Sequence, residues 1–415
     1  MTTTEMTALD LFDPATRVDP YPLYEHLRNT SIGIHRLEPI NGWLFMRYDD
    51  TQELLKNRDQ WSSDFFNTDI GFGVHDPQNP AHRRWAAIAS QNLLASDPPK
   101  HTRLRTLLSH AFSGRALRAW SPAITESIEE VLAEVPVGAE FNAIAEIADV
   151  LPVRVISKLI GIPIADVERF HRLSLALTET FDVAVQGERR DRAILDSLEL
   201  FEYVRGLAEE RRDDPELDSY DDLLSTLLQA EESGGRLNMD ELLATIGILL
   251  VAGNETTTDT IGNGLGLLTQ NPDQMAAVRT DRSLINKAIL EILRSESPIQ
   301  TTGRKTVKTV EYKGVTIKKG ENVFVCMGSA NRDDRVYDHP EKFDIHRGDS
   351  RHLAFGLGAH FCIGNQLARI QVAMLLNELF DRYRLIEAGP SKRIQRSDRL
   401  LQRGLADLPV IFHSA

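Results

Sequence analysis

The chain has 415 residues, 42% hydrophobic and 26% charged, which supplies a large core and excludes a disordered protein. Its formal charge of −14 argues against a nucleic-acid binder, since counterion release needs clustered Lys and Arg. Two cysteines, Cys326 and Cys362, exclude a disulfide framework and fit a reducing compartment.

The opening MTTTEMTALDLFDP has neither a basic n-region nor an apolar h-region, so it is not a secretory signal and a cytoplasmic location is expected. Residues 1–18 are expected to be irregular. GIHRLEPINGWLFMRY at 33–48 reads as strand, and FFNTDIGFGVHDPQNP at 65–80 has the Gly, Asn and Pro content of a mobile lid. From 100 to 300, Leu, Ala and Ile recur at three and four with Glu and Arg opposite, which predicts a mainly helical body. Its most apolar run, LLATIGILLVAG at 242–253, falls short of the ~20 residues that span a bilayer and reads as buried helix. RKTVKTVEYKGVTIKKGENVFVCMG at 304–328 is the second strand region, so a small sheet is expected near each end of the helical body. Within it, Cys326 reads as a small buried hydrophobe. Ser329 to Gly356 is an unusually long irregular loop, of a kind that tends to be functional. No linker, repeat or low-complexity tract divides the chain, so one domain over 1–415 is expected, mainly α with small β-sheets (α+β).

Chemistry concentrates in FGLGAHFCIG, Phe355 to Gly364, where Gly356, Gly358 and Gly364 surround Cys362. Glycine permits positive φ and close approach to a flat cofactor, so backbone N–H groups can point at the sulfur. Ile363, Leu367, Ile370 and Met374 form one helical stripe, which places Cys362 at a helix N-terminus where the dipole favours a thiolate. A thiolate there can bind iron. The alternative is a glycine-rich turn with a buried cysteine. Zinc fits poorly, because His360 and Cys362 lack a second ligand pair. In the central helical segment, Ala252-Gly253-Asn254-Glu255-Thr256-Thr257 interrupts an apolar face. A mid-helix Thr256 can bond back to Ala252, loosening the ladder into a groove, although by itself such a run reads as a solvated face. Glu291 and Arg294 stand at i and i+3, and His101 and Arg105 at i and i+4, each pair on one helix face.

The cysteine segment resembles the signature loop of the cytochrome P450 family, with Phe355, Gly356, Gly358, His360, Cys362 and Gly364 at the family's positions. The resemblance runs from DPYPLYEHLR at 19–28 through ANRDDRVYDHPEKFD at 330–344 to RGLADLPVIF at 403–412. It implies the single cytochrome P450 fold, with a long central helix over a haem b whose iron is held by Cys362. By the same resemblance Thr256 and Glu255 serve oxygen activation and proton delivery beside a groove at Ala252 and Gly253. His101, Arg105, Arg304 and His360 meet the haem propionates, since unpaired buried carboxylates are costly. Glu291, Arg294 and Arg347 form a structural network that holds the cysteine loop, and Ile248, Val251, Ala252, Ile299 in the Ser297 to Thr301 segment, and Leu401 line the substrate pocket. Each cation taken alone reads as a surface salt bridge, and each lining residue as ordinary core.

The implied activity is a monooxygenase acting with O2 on a small or medium hydrophobic substrate. With no membrane anchor and no fused redox domain, electrons are expected from NAD(P)H through a separate ferredoxin or flavodoxin-type donor and its reductase. Two rivals remain: a hydrogen-peroxide-driven peroxygenase, disfavoured by the presence of Glu255 and Thr256, and a non-enzymatic haem-binding sensor or carrier, for which that pair has no use.

Overall fold

The computed structural model describes residues 6–30, 32–64, 76–181, 185–217, 220–232, 237–347, 351–391, 394–396, 399 and 401–414. Most of the lid reading, residues 65–75, lies outside them. Residues 76–80 lead into the helix Pro80–Ala89, where the Asn79 side chain accepts the Ala81 N–H at 2.9 Å.

The backbone forms two compact units, one of residues 1–62, 128–150 and 256–415, the other of residues 63–127 and 151–255. The strands among the described residues all belong to the first unit, and the second is built of helices. In the first unit a five-stranded sheet runs Ile34–Leu37, Gly42–Phe45, Asn322–Cys326, Thr301–Thr306, Trp61–Ser62. The two strand regions foreseen as separate sheets share one, since Gly42–Phe45 pairs in parallel with Asn322–Cys326, while Val310–Tyr312 and Val315–Ile317 form a hairpin of their own. Local alternation marks a strand but does not choose its partner, and a parallel partner must come from a distant segment. Cys326 is fully buried in an apolar cluster with Tyr24, Leu27 and Met46, and burial pushes its thiol up to about 11.

A further antiparallel sheet escaped the sequence reading. It pairs Pro409–Ser414 with Glu140–Asn142 on one side and Tyr383–Ala388 on the other. Phe412 supplies its core, edge-on to Phe141 at 4.9 Å and tilted against Tyr383 at 4.8 Å. Within 1–18, the described residues 6–18 are also less irregular than expected. A 3-10 turn, Ala8–Phe12, is closed by a reciprocal Thr7 and Asp10 cap, and the short helix Pro14–Val18 starts where Asp13 accepts the Ala15 N–H at 2.9 Å.

The helix Met239–Gln270 carries the interrupted apolar face. Asn238 and Glu241 cap it reciprocally at 2.9 and 3.1 Å, and Pro272 opens the next helix just beyond its end. It is α-helical throughout, residues 252–256 included. One turn beyond the run, Thr260 Oγ1 donates to the Thr256 carbonyl at 2.7 Å, the back-bonding a mid-helix Thr can make. Among the described residues no helix is long and apolar enough to cross a membrane.

Candidate active site

Cys362 stands three residues ahead of the helix Asn365–Arg382, half-buried, in a loop closed by its own backbone. Its N–H donates to the Phe355 carbonyl at 2.9 Å, and Asn365 Nδ2 donates to its carbonyl at 2.8 Å. Two glycines make the closure: Gly356 has φ +68° and Gly358 φ +74°, where a side chain is strained. At Gly358 the crowding is also steric, since a Cβ would stand 2.6 Å from the Leu55 carbonyl oxygen. Gly358→Ala is therefore expected to destabilise the protein by at least about 1–2 kcal/mol in denaturant unfolding. At Gly364 the same change should cost under about 1 kcal/mol in the apoprotein, because its φ is −83° and nothing stands within 4 Å of the added Cβ.

The loop is anchored on both sides of the turn. Leu353 is buried with Tyr48, Met327, Ala330 and Tyr337, and Leu357 packs against that cluster and against the one around Leu55, Trp61 and Val323. The Phe355 ring meets Phe361 edge-on at 6.3 Å. The following helix buries Leu367, Gln371, Val372, Leu375, Leu376, Leu379 and Phe380; of the stripe Ile363, Leu367, Ile370, Met374 only Leu367 is fully buried and the other three are half-buried. Apolar residues occupy more than one side of this helix, so periodicity could not select the face. Packing of the helix Ile285–Ser295 against it did.

On that neighbouring helix Arg294 makes two 2.8 Å hydrogen bonds to the Glu291 carboxylate, with both side chains buried. Its remaining donors reach the carbonyls of Asn331, Pro340 and Lys342 at 2.9–3.0 Å. Arg347 joins at 3.2 Å to Glu291 and caps the carbonyls of His339 and Lys342. Asn331, which the sequence reading passed over, links this network to the cysteine loop. Fully buried, it donates to Ser297 Oγ at 2.7 Å and accepts the Leu353 N–H at 2.7 Å. Its only sequence signal was the length of the irregular loop. His352 was also missed. Burial, with Arg369 and Arg294 nearby, pushes its imidazole down to about 4, so it is neutral, and its Nδ1 accepts the Ala354 N–H at 3.3 Å. A third omission is Glu296. Burial would raise its carboxyl, but Arg403, Arg396 and Arg332 together hold it below the ordinary range.

The other candidates divide between the units. In the first, buried Arg304 lies on the strand Thr301–Thr306 opposite Val323, and His360 ends the 3-10 turn Gly358–His360. Ile299 and Leu401 sit on adjoining segments, where Ile299 bridges Gln402 and the Gln300 N–H donates to the Leu401 carbonyl at 2.9 Å. Half-buried Thr256 lies on the central helix. In the second unit His101 is buried and Arg105 half-buried on one face of the helix Lys100–Ala111. Ile248 and Val251 are buried, Ala252 is exposed, and Gly253 and Glu255 are half-buried. A Cβ at Gly253 would make only ordinary contact with Ile156, so protein packing does not dictate that glycine.

Among the described residues no three His, Cys, Asp or Glu side chains gather as a metal-ion site. A porphyrin iron makes a smaller demand, since the macrocycle supplies its equatorial nitrogens, and a single thiol in a glycine-turned loop suits it. Gly364, free of backbone strain and of protein neighbours beside that thiol, leaves room for a flat group.

Known proteins agree with this chemistry. Residues 69–406 match the family model for cytochrome P450. Cytochrome P450 107B1 of Saccharopolyspora erythraea is 36% identical, with 99% of each chain covered. Vitamin D(3) 25-hydroxylase of Pseudonocardia autotrophica is 35% identical over 99% of this chain and 98% of its own. The crystal structure of CYP109E1 from Bacillus megaterium in complex with corticosterone superposes with a TM-score of 0.82 at 32% identity, covering 96% of this chain and 99% of that one. The chain therefore belongs to the cytochrome P450 family and is a haem-thiolate monooxygenase.

Proposed function

We propose that the chain holds haem b through Cys362 and inserts one oxygen atom of O2 into a small or medium, largely hydrophobic substrate, with electrons from NAD(P)H. A separate ferredoxin or flavodoxin-type protein and its reductase deliver those electrons. The observation that carries the reading is the cysteine loop, a half-buried cysteine whose backbone N–H is held by the Phe355 carbonyl and whose turn is made by two positive-φ glycines. When bound, the thiolate-ligated haem supplies the electron donation that favours O–O cleavage.

The chain's own residues bind, orient and protonate. His101, Arg105, Arg304 and His360 offer hydrogen-bond donors to the two propionates, which would otherwise be costly to bury. Thr256 Oγ1 donates toward the oxygen site, and the Glu255 carboxyl passes protons to it. Ile248, Val251, Ile299 and Leu401 supply apolar walls. The relatives named or solved with vitamin D(3) and corticosterone support a largely apolar substrate class.

The test is a spectrum of the reduced, carbon monoxide-treated protein, where thiolate ligation gives a band that other haem proteins lack. NADH consumption with a surrogate ferredoxin and reductase then separates an enzyme from a carrier, and efficient turnover on peroxide alone would favour the peroxygenase. Thr256→Ala is expected to keep full haem uptake while releasing most reducing equivalents as hydrogen peroxide. Unchanged coupling would remove Thr256 from proton delivery.

A further inference from the structure

The turn around Leu401 is pinned from several directions. Arg399 donates to Asp259 Oδ1 at 2.6 Å and to Gln402 Oε1 at 2.7 Å. Asp259 is buried, three residues beyond Thr256 on the central helix. The Gly404 backbone lies against the same carboxylate, since a Cβ there would stand 1.7 Å from Asp259 Oδ1. On the other side, the Gln300 N–H donates to the Leu401 carbonyl at 2.9 Å, and the Arg403 N–H to the Pro298 carbonyl at 2.8 Å. Asn263, also on the central helix, donates to the Arg403 carbonyl at 2.9 Å.

A buried carboxylate is costly unless it is paired, and Arg399 is the partner that reaches Asp259 from the turn. Removing that ion pair leaves the Gln300 and Arg403 backbone bonds and the Asn263 bond to the Arg403 carbonyl, but releases the turn at Arg399 from the helix that carries Thr256. We infer that Asp259 and Arg399 are positioning residues that fix the wall at Leu401 relative to Thr256, and so set the shape of the pocket that receives substrate. The inference rests on the haem and substrate reading above.

The test compares two haem-ligating probes, imidazole and 4-phenylimidazole, by their spectral shifts in the holoprotein. Imidazole reports access to the iron, while its phenyl derivative also reports the pocket wall. In Arg399→Gln and Asp259→Asn, affinity for 4-phenylimidazole is expected to fall about tenfold, with imidazole unchanged within about twofold. The double variant should match either single one, because both remove the same link. Arg399→Lys should restore part of the loss and serves if Asp259→Asn does not fold. Equal losses for both probes, additive effects, or no change in the phenyl probe would overturn the inference while leaving the thiolate spectrum intact. A wild-type protein without that spectrum would overturn the functional reading and this inference together.

Discussion

Cys362→Ala is expected to yield a folded protein that has lost the thiolate-type spectrum and whose oxygenation falls to background. The fold should survive because the backbone does the loop's structural work: the N–H to the Phe355 carbonyl and the carbonyl to Asn365 Nδ2 remain after the sulfur is gone. The side chain is only half-buried, so its removal opens no large cavity. Far-ultraviolet circular dichroism checks the fold, and the reduced, carbon monoxide-treated spectrum checks the ligand. If the alanine variant kept the wild-type iron bands, Cys362 would not be the ligand.

Breaking the Glu291 and Arg294 pair should have the largest effect on stability. Both side chains are buried, and Arg294→Ala leaves the Glu291 carboxylate with Arg347 at 3.2 Å and the Asp344 N–H at 3.0 Å, while the carbonyls of Asn331, Pro340 and Lys342 lose a donor. The expected loss is about 3–5 kcal/mol, read from urea unfolding. Arg347→Ala should cost less, since Arg294 still satisfies the carboxylate twice. The damage should also reach the cysteine loop. Asn331 lies between the two, tied to Arg294 through its carbonyl and to the Leu353 N–H through its side chain. Faster transfer of haem to apomyoglobin from Arg294→Ala would register that link. Stability and haem retention equal to wild type would show that the network does not hold the loop.

These two sites differ in how they could be found. The cysteine loop was legible because its parts are neighbours in sequence: glycines at the positive-φ positions, the cysteine, and the helix that follows. Glu291 and Arg294 were legible as an i, i+3 pair on a helix, though their burial was not. Asn331, Glu296 and the Asp259–Arg399 pair were illegible, because each gains its meaning from partners brought close only by folding. Of the segment 65–80, read as a lid, residues 65–75 lie outside the described residues.

By itself, the sequence determined the helical body, the strand regions at 33–48 and 304–328, the cysteine loop and the family. Each depends on patterns within a few residues or on motif positions. Only the tertiary structure decided that Gly42–Phe45 pairs in parallel with Asn322–Cys326, that Pro409–Ser414 seeds a second sheet, and which face of the helix Asn365–Arg382 is buried. The physical reason is shared by all three. An apolar or β-branched residue specifies that it will be covered, and the covering partner is selected by packing among segments far apart in the chain.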